Sequence, residues 1–247
     1  MVSGDLASLP RAEIVILGEV HDNPAHHDNQ AVAVAALRPR ALVFEMLEPD
    51  QAASPVPGDR SDPERLGRVL GWNGSGWPEF TLYWPIFAAA PEAALVGGAL
   101  PRATVRRALT EGAAAAFGAG ADRFGLDRPL DPADQSAREA GQQDAHCGAL
   151  PPELLPGFVA AQRLRDAALA RAALDALAAH GAPVVVIAGT GHARRDEGVP
   201  AAIAVASPGT AVLALGQLEA DPGPDAPFDL WIVTDPHPRP DPCAALR

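Results

Sequence analysis

Lysine is absent from this 247-residue chain, so all 19 basic residues are arginine. The arginine side chain stays charged across the physiological pH range and cannot serve as a tunable general base. The absence therefore excludes enzymes that depend on a Schiff-base lysine, a P-loop lysine or a kinase-type ATP-binding lysine.

Cysteine and long apolar runs are also scarce. The two cysteines, Cys147 and Cys243, are far apart and in no CxxC spacing, so the sequence indicates neither a disulfide framework nor a thiolate zinc site. No run of about 18 apolar residues occurs, so we expect no membrane span. The first residues lack a basic segment followed by a long apolar stretch. We therefore expect a cytoplasmic protein, or a periplasmic or lipid-anchored one if a leader has been removed.

Negative charge dominates the chain. The formal net charge of -12 and the pI near 4.9 disfavour nucleic acid and anionic membranes as partners, because both would repel the protein. With 48% hydrophobic residues the chain can bury a full core. We expect one α/β domain over residues 1–247.

Short apolar segments alternate with helical patterns along the chain. Residues 13–17 and 41–46 read as buried strands on either side of a helix, and "ALVGGAL", "PVVVIAG", "AVLALGQL" and "FDLWIVT" read as further strands. This order predicts a mainly parallel sheet of five or six strands flanked by helices. The region between residues 50 and 150 is predicted to hold a helical insertion, which we place at residues 54–150. Residues 236–247 are predicted to be a Pro-rich tail.

Two similar turns follow two of these strands. "ILGEVH" contains Gly18-x-x-His21, and "IAGTGH" contains Gly189-x-x-His192. In a parallel sheet the carboxyl ends of the strands share one edge, where ligands collect. Together with Glu19 and Glu45, these turns predict one polar crevice. Histidine and carboxylate are ligands of divalent metals and are also general acids and bases.

The first helix starts at a well-marked point. Asn23 can cap it, and Pro24 suits its first position. His26 and His27 follow in its first turn, about 100° apart around the axis, so at most one is expected to point inward. His27 shares a face with apolar residues and is predicted to be that one, while His26 is predicted to be solvated.

Two other segments contain candidate residues. The longest helical pattern, residues 152–180, has a glutamine and an aspartate, Gln162 and Asp166, in an apolar seam, so either polar groups face them or the seam meets solvent there. Trp72 to Trp84 holds three of the four tryptophans and the only tyrosine, Tyr83. Such a cluster is more typical of core packing or a lid than of a cofactor site.

These motifs resemble a known family. "LGEVHDNPAHHDNQ", the "FEM" strand end, "GWPEF…YWPIF", "AQRLRDAALA" and "AGTGHARRDEGVP" are similar to the ChaN-like haem-binding proteins of the Tiki superfamily over roughly residues 13–205. The resemblance implies an α/β fold and a bacterial role in haem or iron uptake or handling. The matching positions are Gly18, Glu19, His21, Glu45, Gln162, Asp166, Gly189 and His192.

Three functional hypotheses follow. In the first, the protein binds haem, with His27, Glu45, Gln162, Asp166 and Tyr83 at the cofactor and a homodimer partner closing the site. In the second, it is a metal-dependent hydrolase in which His21, Glu45 and His192 hold a divalent ion and Glu19 activates water. The third is a metal-free, esterase-like mechanism with Glu19, His21 and His192 as acid and base. The resemblance favours the first, in which the ligand is haem or another small molecule.

Overall fold

The computed structural model describes residues 3–55, 58–241 and 243–244. It divides the chain into two compact units. The sheet unit comprises Met1–Ala99 and Leu169–His237, and the helical unit comprises Leu100–Ala168 and Pro238–Arg247. Parts of the predicted 54–63 loop and of the 236–247 tail lie outside the described residues.

Six parallel strands form the sheet. They are β1 (Ile14–Glu19), β2 (Ala41–Phe44), β3 (Ala94–Gly97), β4 (Val184–Gly189), β5 (Val212–Leu218) and β6 (Leu230–Val233). Their spatial order is β3-β2-β4-β1-β5-β6, with every pair parallel. The predicted α/β fold is therefore confirmed.

Nine α-helices occur within the described residues. They are α1 (Pro24–Leu37), α2 (Pro49–Ala53), α3 (Pro63–Val69), α4 (Phe80–Ala89), α5 (Arg102–Glu111), α6 (Ala113–Phe117), α7 (Pro132–Ala145), α8 (Leu155–His180) and α9 (Val199–Ala206). None of these helices is long and apolar enough to cross a membrane.

Branched apolar side chains explain why the central strands lie in the middle of the sheet. Every residue of β1, β2 and β4 is buried, as expected for parallel strands covered on both faces. The β-branched valines and isoleucines of these strands also favour the extended backbone. Strands β3 and β6 are short and partly exposed, which is consistent with their positions at the two edges.

The aromatic segment packs mainly into the core of the sheet unit. Phe87 of α4 stacks on Phe44 of β2 with ring centroids 4.3 Å apart. Trp72 lies against Phe80 and Tyr83 and is buried. The sequence-based interpretation of this cluster as core packing agrees with these contacts.

The helical unit contains α5, α6, α7 and the first half of α8. Within it Cys147, just after α7, forms a disulfide with Cys243 of the tail, across 96 residues of sequence. The sequence alone did not indicate a disulfide, and the structure corrects that expectation. Two isolated cysteines carry no local spacing signal, and whether they can pair depends on distances that only the folded chain defines.

Candidate functional site

The site lies at the carboxyl edge of the sheet, where three neighbouring strands end together. Strand β4 lies between β1 and β2, and Glu19 at the end of β1 is in register with Gly189 at the end of β4. Glu45 follows β2 directly, and its backbone N–H donates to the carbonyl of Ile187 in β4 at 3.0 Å. The strand order therefore brings Glu19, Glu45 and Gly189 together.

Glu19 is the centre of the first group of contacts. Its side chain is fully buried, and its Oε1 lies 2.8 Å from His21 Nδ1. The Tyr83 hydroxyl donates to the same oxygen at 2.9 Å. The other oxygen, Oε2, lies 3.4 Å from Nδ1 of the buried His27. Two histidines and a tyrosine thus share one carboxylate.

The contacts of His27 indicate where its proton lies. Its Nε2 is 2.9 Å from the carbonyl oxygen of His21, and a carbonyl can only accept, so Nε2 carries a hydrogen. In a neutral ring Nδ1 would then present a lone pair to Glu19 Oε2, and neither of these buried atoms has another hydrogen-bond partner. These two buried atoms therefore lie against each other inside the site.

Glu45 is the centre of the second group. Its Oε2 accepts a hydrogen bond from the Gly189 backbone N–H at 2.7 Å. Its Oε1 lies 3.2 Å from Nε2 of the buried His192, and its Oε2 lies 3.9 Å from Nε2 of His21. The His21 ring therefore has a buried carboxylate on each of its two nitrogens.

His21 is the most accessible histidine of the site, with 33% of its side chain exposed. Burial lowers its pKa, but the hydrogen bond to Glu19 and the negative charges of Glu45 and Glu19 outweigh it, and the net pKa is raised above 6.5. The ring also meets the edge of Trp77, with centroids 4.8 Å apart. The site therefore contains one partly accessible imidazole, which Glu19 holds in place and which lies beside the Trp77 ring.

Tyr83 belongs to the buried side of the site. Its ring is fully buried and packs against His27 at 4.3 Å. Burial and the negative charge of Glu19 raise the pKa of its hydroxyl far above 10.0. Tyr83 is therefore a neutral hydrogen-bond donor that holds Glu19 in place.

Glycine is required in both turns because the strands approach closely there. A Cβ at Gly189 would lie 2.9 Å from Nε2 of His21, although its backbone φ of -56° suits any residue. A Cβ at Gly18 would lie 2.9 Å from the Thr190 hydroxyl and 3.1 Å from the Leu215 carbonyl oxygen. The two GxxH turns therefore need glycine for space rather than for backbone freedom.

The prediction for His26 was wrong. Its side chain is fully buried, with Nδ1 accepting from the Val20 N–H at 2.8 Å and Nε2 lying 2.8 Å from the Thr234 hydroxyl. The neighbouring predictions for α1 agree with the structure, since Asn23 caps the helix through the Ala25 N–H and Pro24 opens it. The helix turns its start toward the end of β6, so both histidines are enclosed.

Sequence reasoning also missed Gln217 in β5. Its buried amide donates to the carbonyls of Gly18 and His26, at 2.9 and 3.0 Å, and accepts from Asn29 at 2.9 Å. These bonds tie α1 to the β1 turn and so fix the position of the site. A lone glutamine inside the apolar run "AVLALGQL" was the available signal, because a buried amide requires partners.

Gln162 and Asp166 lie on α8 within the helical unit. Asp166 is buried and Gln162 half-buried, and both have interactions with other residues. Their predicted contact with a cofactor stays a prediction.

A metal centre gains no support. Across residues 3–55, 58–241 and 243–244, no group of three or more His, Cys, Asp or Glu side chains is arranged to hold a metal ion. The geometry of His21, Glu45 and His192 is instead that of carboxylate-paired imidazoles. The assignment of these three residues as metal ligands stays a prediction without structural support.

Comparison with known proteins gives a consistent result. A solved structure from Campylobacter jejuni, described as cofacial heme binding to ChaN, matches 92% of this chain and 89% of its own, with a TM-score of 0.66 and 18% identity. The structure of the type III effector HopBA1 matches 95% and 92% with a TM-score of 0.47 and 15% identity. The first match shows a shared fold.

Sequence comparison identifies the family. No curated protein matches the chain. The family model described as haem-binding uptake, Tiki superfamily, ChaN matches residues 6–203, most of the chain's length. The chain belongs to the ChaN family of haem-binding uptake proteins in the Tiki superfamily.

Proposed function

We propose that this protein binds haem, for haem or iron uptake or handling, and that His21 provides the nitrogen that ligates the iron. The observation that carries the proposal is the geometry of His21. Its ring is partly accessible, its Nδ1 is held by a buried carboxylate, and it lies beside Trp77. Histidines that ligate metals commonly donate their other ring N–H to a carboxylate, which fixes the tautomer and raises the basicity of the ligating nitrogen.

The other iron-ligating residue types fit less well. Haem iron is held in proteins by His, Cys, Met or Tyr. Both cysteines are in the disulfide, and the Tyr83 hydroxyl is buried and donated to Glu19. Met46 is buried among core residues. His26, His27 and His192 are buried as well, so of the four histidines at Glu19 and Glu45 and in the first turn of α1, His21 is the accessible one.

Apolar surface next to His21 suits a porphyrin. Trp77 and Trp84 are only half-buried, in a segment whose other aromatics lie in the core. Bound haem would supply the iron, and His21 would be the residue that holds it. The residues of the chain would orient His21, through Glu19 and Tyr83, and would cover part of the macrocycle.

A hemin titration tests the proposal. The protein is expected to bind hemin saturably, with a shifted Soret band and a fixed stoichiometry. His21→Ala should lower the affinity by about 10- to 100-fold or more, because the proposed iron ligand is lost. The matched control is His180→Ala, since His180 is exposed and lies at the opposite edge of the sheet. Absence of saturable binding, or equal losses in both variants, would contradict the proposal.

A further inference from the structure

A cavity opens at the amino edge of the sheet, opposite the histidine site. It has a volume of about 860 Å³ and is formed where α1, α4 and α8 end and β2, β3 and β4 begin. Leu37, Pro39, Ala89, Ala90, Ala93, Ala94 and Pro183 supply apolar walls. Its size lies in the range of small-molecule pockets in proteins.

Cationic side chains line the same cavity. Arg38 and Arg40 flank the buried Pro39, and both are exposed. Among the residues that the structure describes, neither guanidinium makes an ion pair or a side-chain hydrogen bond. His180 at the end of α8 is a further exposed donor on the lining. Two guanidinium groups that have no partner among the described residues therefore lie on the lining of one cavity with apolar walls.

The acidic group on the lining does not neutralise the two arginines. Glu92 interacts with the half-buried Arg60, whose pKa is lowered by burial and raised back in part by the Glu92 charge. Arg60 also donates to the carbonyls of Ala90 and Pro91, at 3.1 and 2.7 Å, which fixes that wall of the cavity. Arg60 therefore stabilises this wall of the cavity, while Arg38 and Arg40 are available to bind a ligand.

The backbone at Arg38 supports a role for this side chain. Arg38 ends α1 in a left-handed conformation, with φ of 47°, where glycine or asparagine is the favoured residue. A bulky residue in that conformation is a strained choice, and such positions cluster at ligand sites.

We propose that this cavity binds an amphipathic organic anion, with its oxyanion group on Arg38 and Arg40 and its apolar body against the alanine and proline walls. Guanidinium groups bind carboxylate and phosphate through paired N–H donors, so the shared chemistry is a planar or tetrahedral oxyanion. In a chain with a net charge of -12, a local pair of arginines is what overcomes the general repulsion of anions.

Displacement of a fluorescent anion tests this proposal. The probe is 8-anilinonaphthalene-1-sulfonate, titrated into the full chain and then displaced with octanoate, octyl phosphate, inorganic phosphate or 1-octanol. Octanoate or octyl phosphate should displace the probe. The one that displaces it at the lower concentration shows whether the cavity prefers a carboxylate or a phosphate group. Inorganic phosphate and 1-octanol should each be at least about ten-fold weaker, because each lacks half of the recognised chemistry.

Paired variants keep the result specific to the cavity. The double substitution Arg38→Gln/Arg40→Gln should lower the affinity for the probe and for the best competitor by at least about ten-fold. It should leave the affinity for hemin unchanged. Arg106→Gln removes an exposed arginine of α5 that does not line the cavity and should have less than about a two-fold effect. Absence of saturable probe binding, equal displacement by 1-octanol and octanoate, or equal losses in both variants would overturn the proposal.

Discussion

The two edges of the sheet differ in the sign and the burial of their charged side chains. At the carboxyl edge Glu19 and Glu45 are buried, and each contacts histidine, tyrosine or backbone N–H groups. At the amino edge Arg38 and Arg40 are exposed beside an apolar cavity. Paired buried charges fix the geometry of the side chains around them, whereas exposed cations stay available to a ligand. The comparison predicts that removing a buried carboxylate at the first edge lowers stability, whereas replacing Arg38 and Arg40 at the second edge affects binding alone.

The largest expected effect is that of removing the Glu19 carboxylate. Glu19→Ala leaves His27 and the Tyr83 hydroxyl without their buried acceptor, so the free energy of unfolding should fall by about 3–5 kcal/mol. Urea denaturation measures this loss. Glu64→Ala is the matched control, because Glu64 is an exposed partner of Arg68 and should contribute less than about 1 kcal/mol. Equal effects in the two variants would contradict the structural role of the buried Glu19 carboxylate.

A smaller and more local effect is expected at Gly189. The Cβ of Gly189→Ala would press against Nε2 of His21 and displace the ring without straining the backbone. Hemin affinity should fall by about 10- to 100-fold while the far-ultraviolet circular dichroism stays unchanged. Gly191→Ala is the control two residues away, where a Cβ meets no described atom within 4 Å. An unchanged affinity in Gly189→Ala would argue against His21 as the haem ligand.

Tyr83 gives a pH-dependent test of the buried edge. Its folded-state pKa is raised above the ordinary value of 10.0, so its contribution to stability is complete below pH 10 and is lost as the pH rises above that value, where the unfolded state ionises first. Since Tyr83 is the only tyrosine, its ionisation is the only source of tyrosinate absorbance. Tyrosinate should appear only when the protein unfolds, and circular dichroism measures that unfolding. An ordinary titration in the folded protein would contradict the buried donor.

Most of the carboxyl edge could be predicted from sequence because its signals are local. Apolar runs marked β1, β2 and β4, and polar residues directly after them had to share one edge once the strands were parallel. The family resemblance, the α/β fold and the convergence of Glu19, His21, Glu45 and His192 are all seen in the comparisons or the structure.

The remaining features depend on contacts that are distant in sequence. His26 is buried because Thr234, 208 residues later, lies against it, and helical periodicity carries no information on that contact. The disulfide joins residues 96 positions apart. The amino-edge cavity arises because β2, β3 and β4 are neighbours in the sheet, and strand order is not encoded in any single segment.

The smallest expected effect is the change in stability when the two cavity arginines are replaced. Arg38→Gln/Arg40→Gln removes two charges that have no partner among the described residues, so the free energy of unfolding should change by less than about 0.5 kcal/mol per site. Urea denaturation of this variant beside Glu19→Ala measures both edges in one experiment. A loss above about 1 kcal/mol per site would mean that these arginines support the fold, and the contrast between the buried carboxylates of one edge and the exposed arginines of the other would then fail.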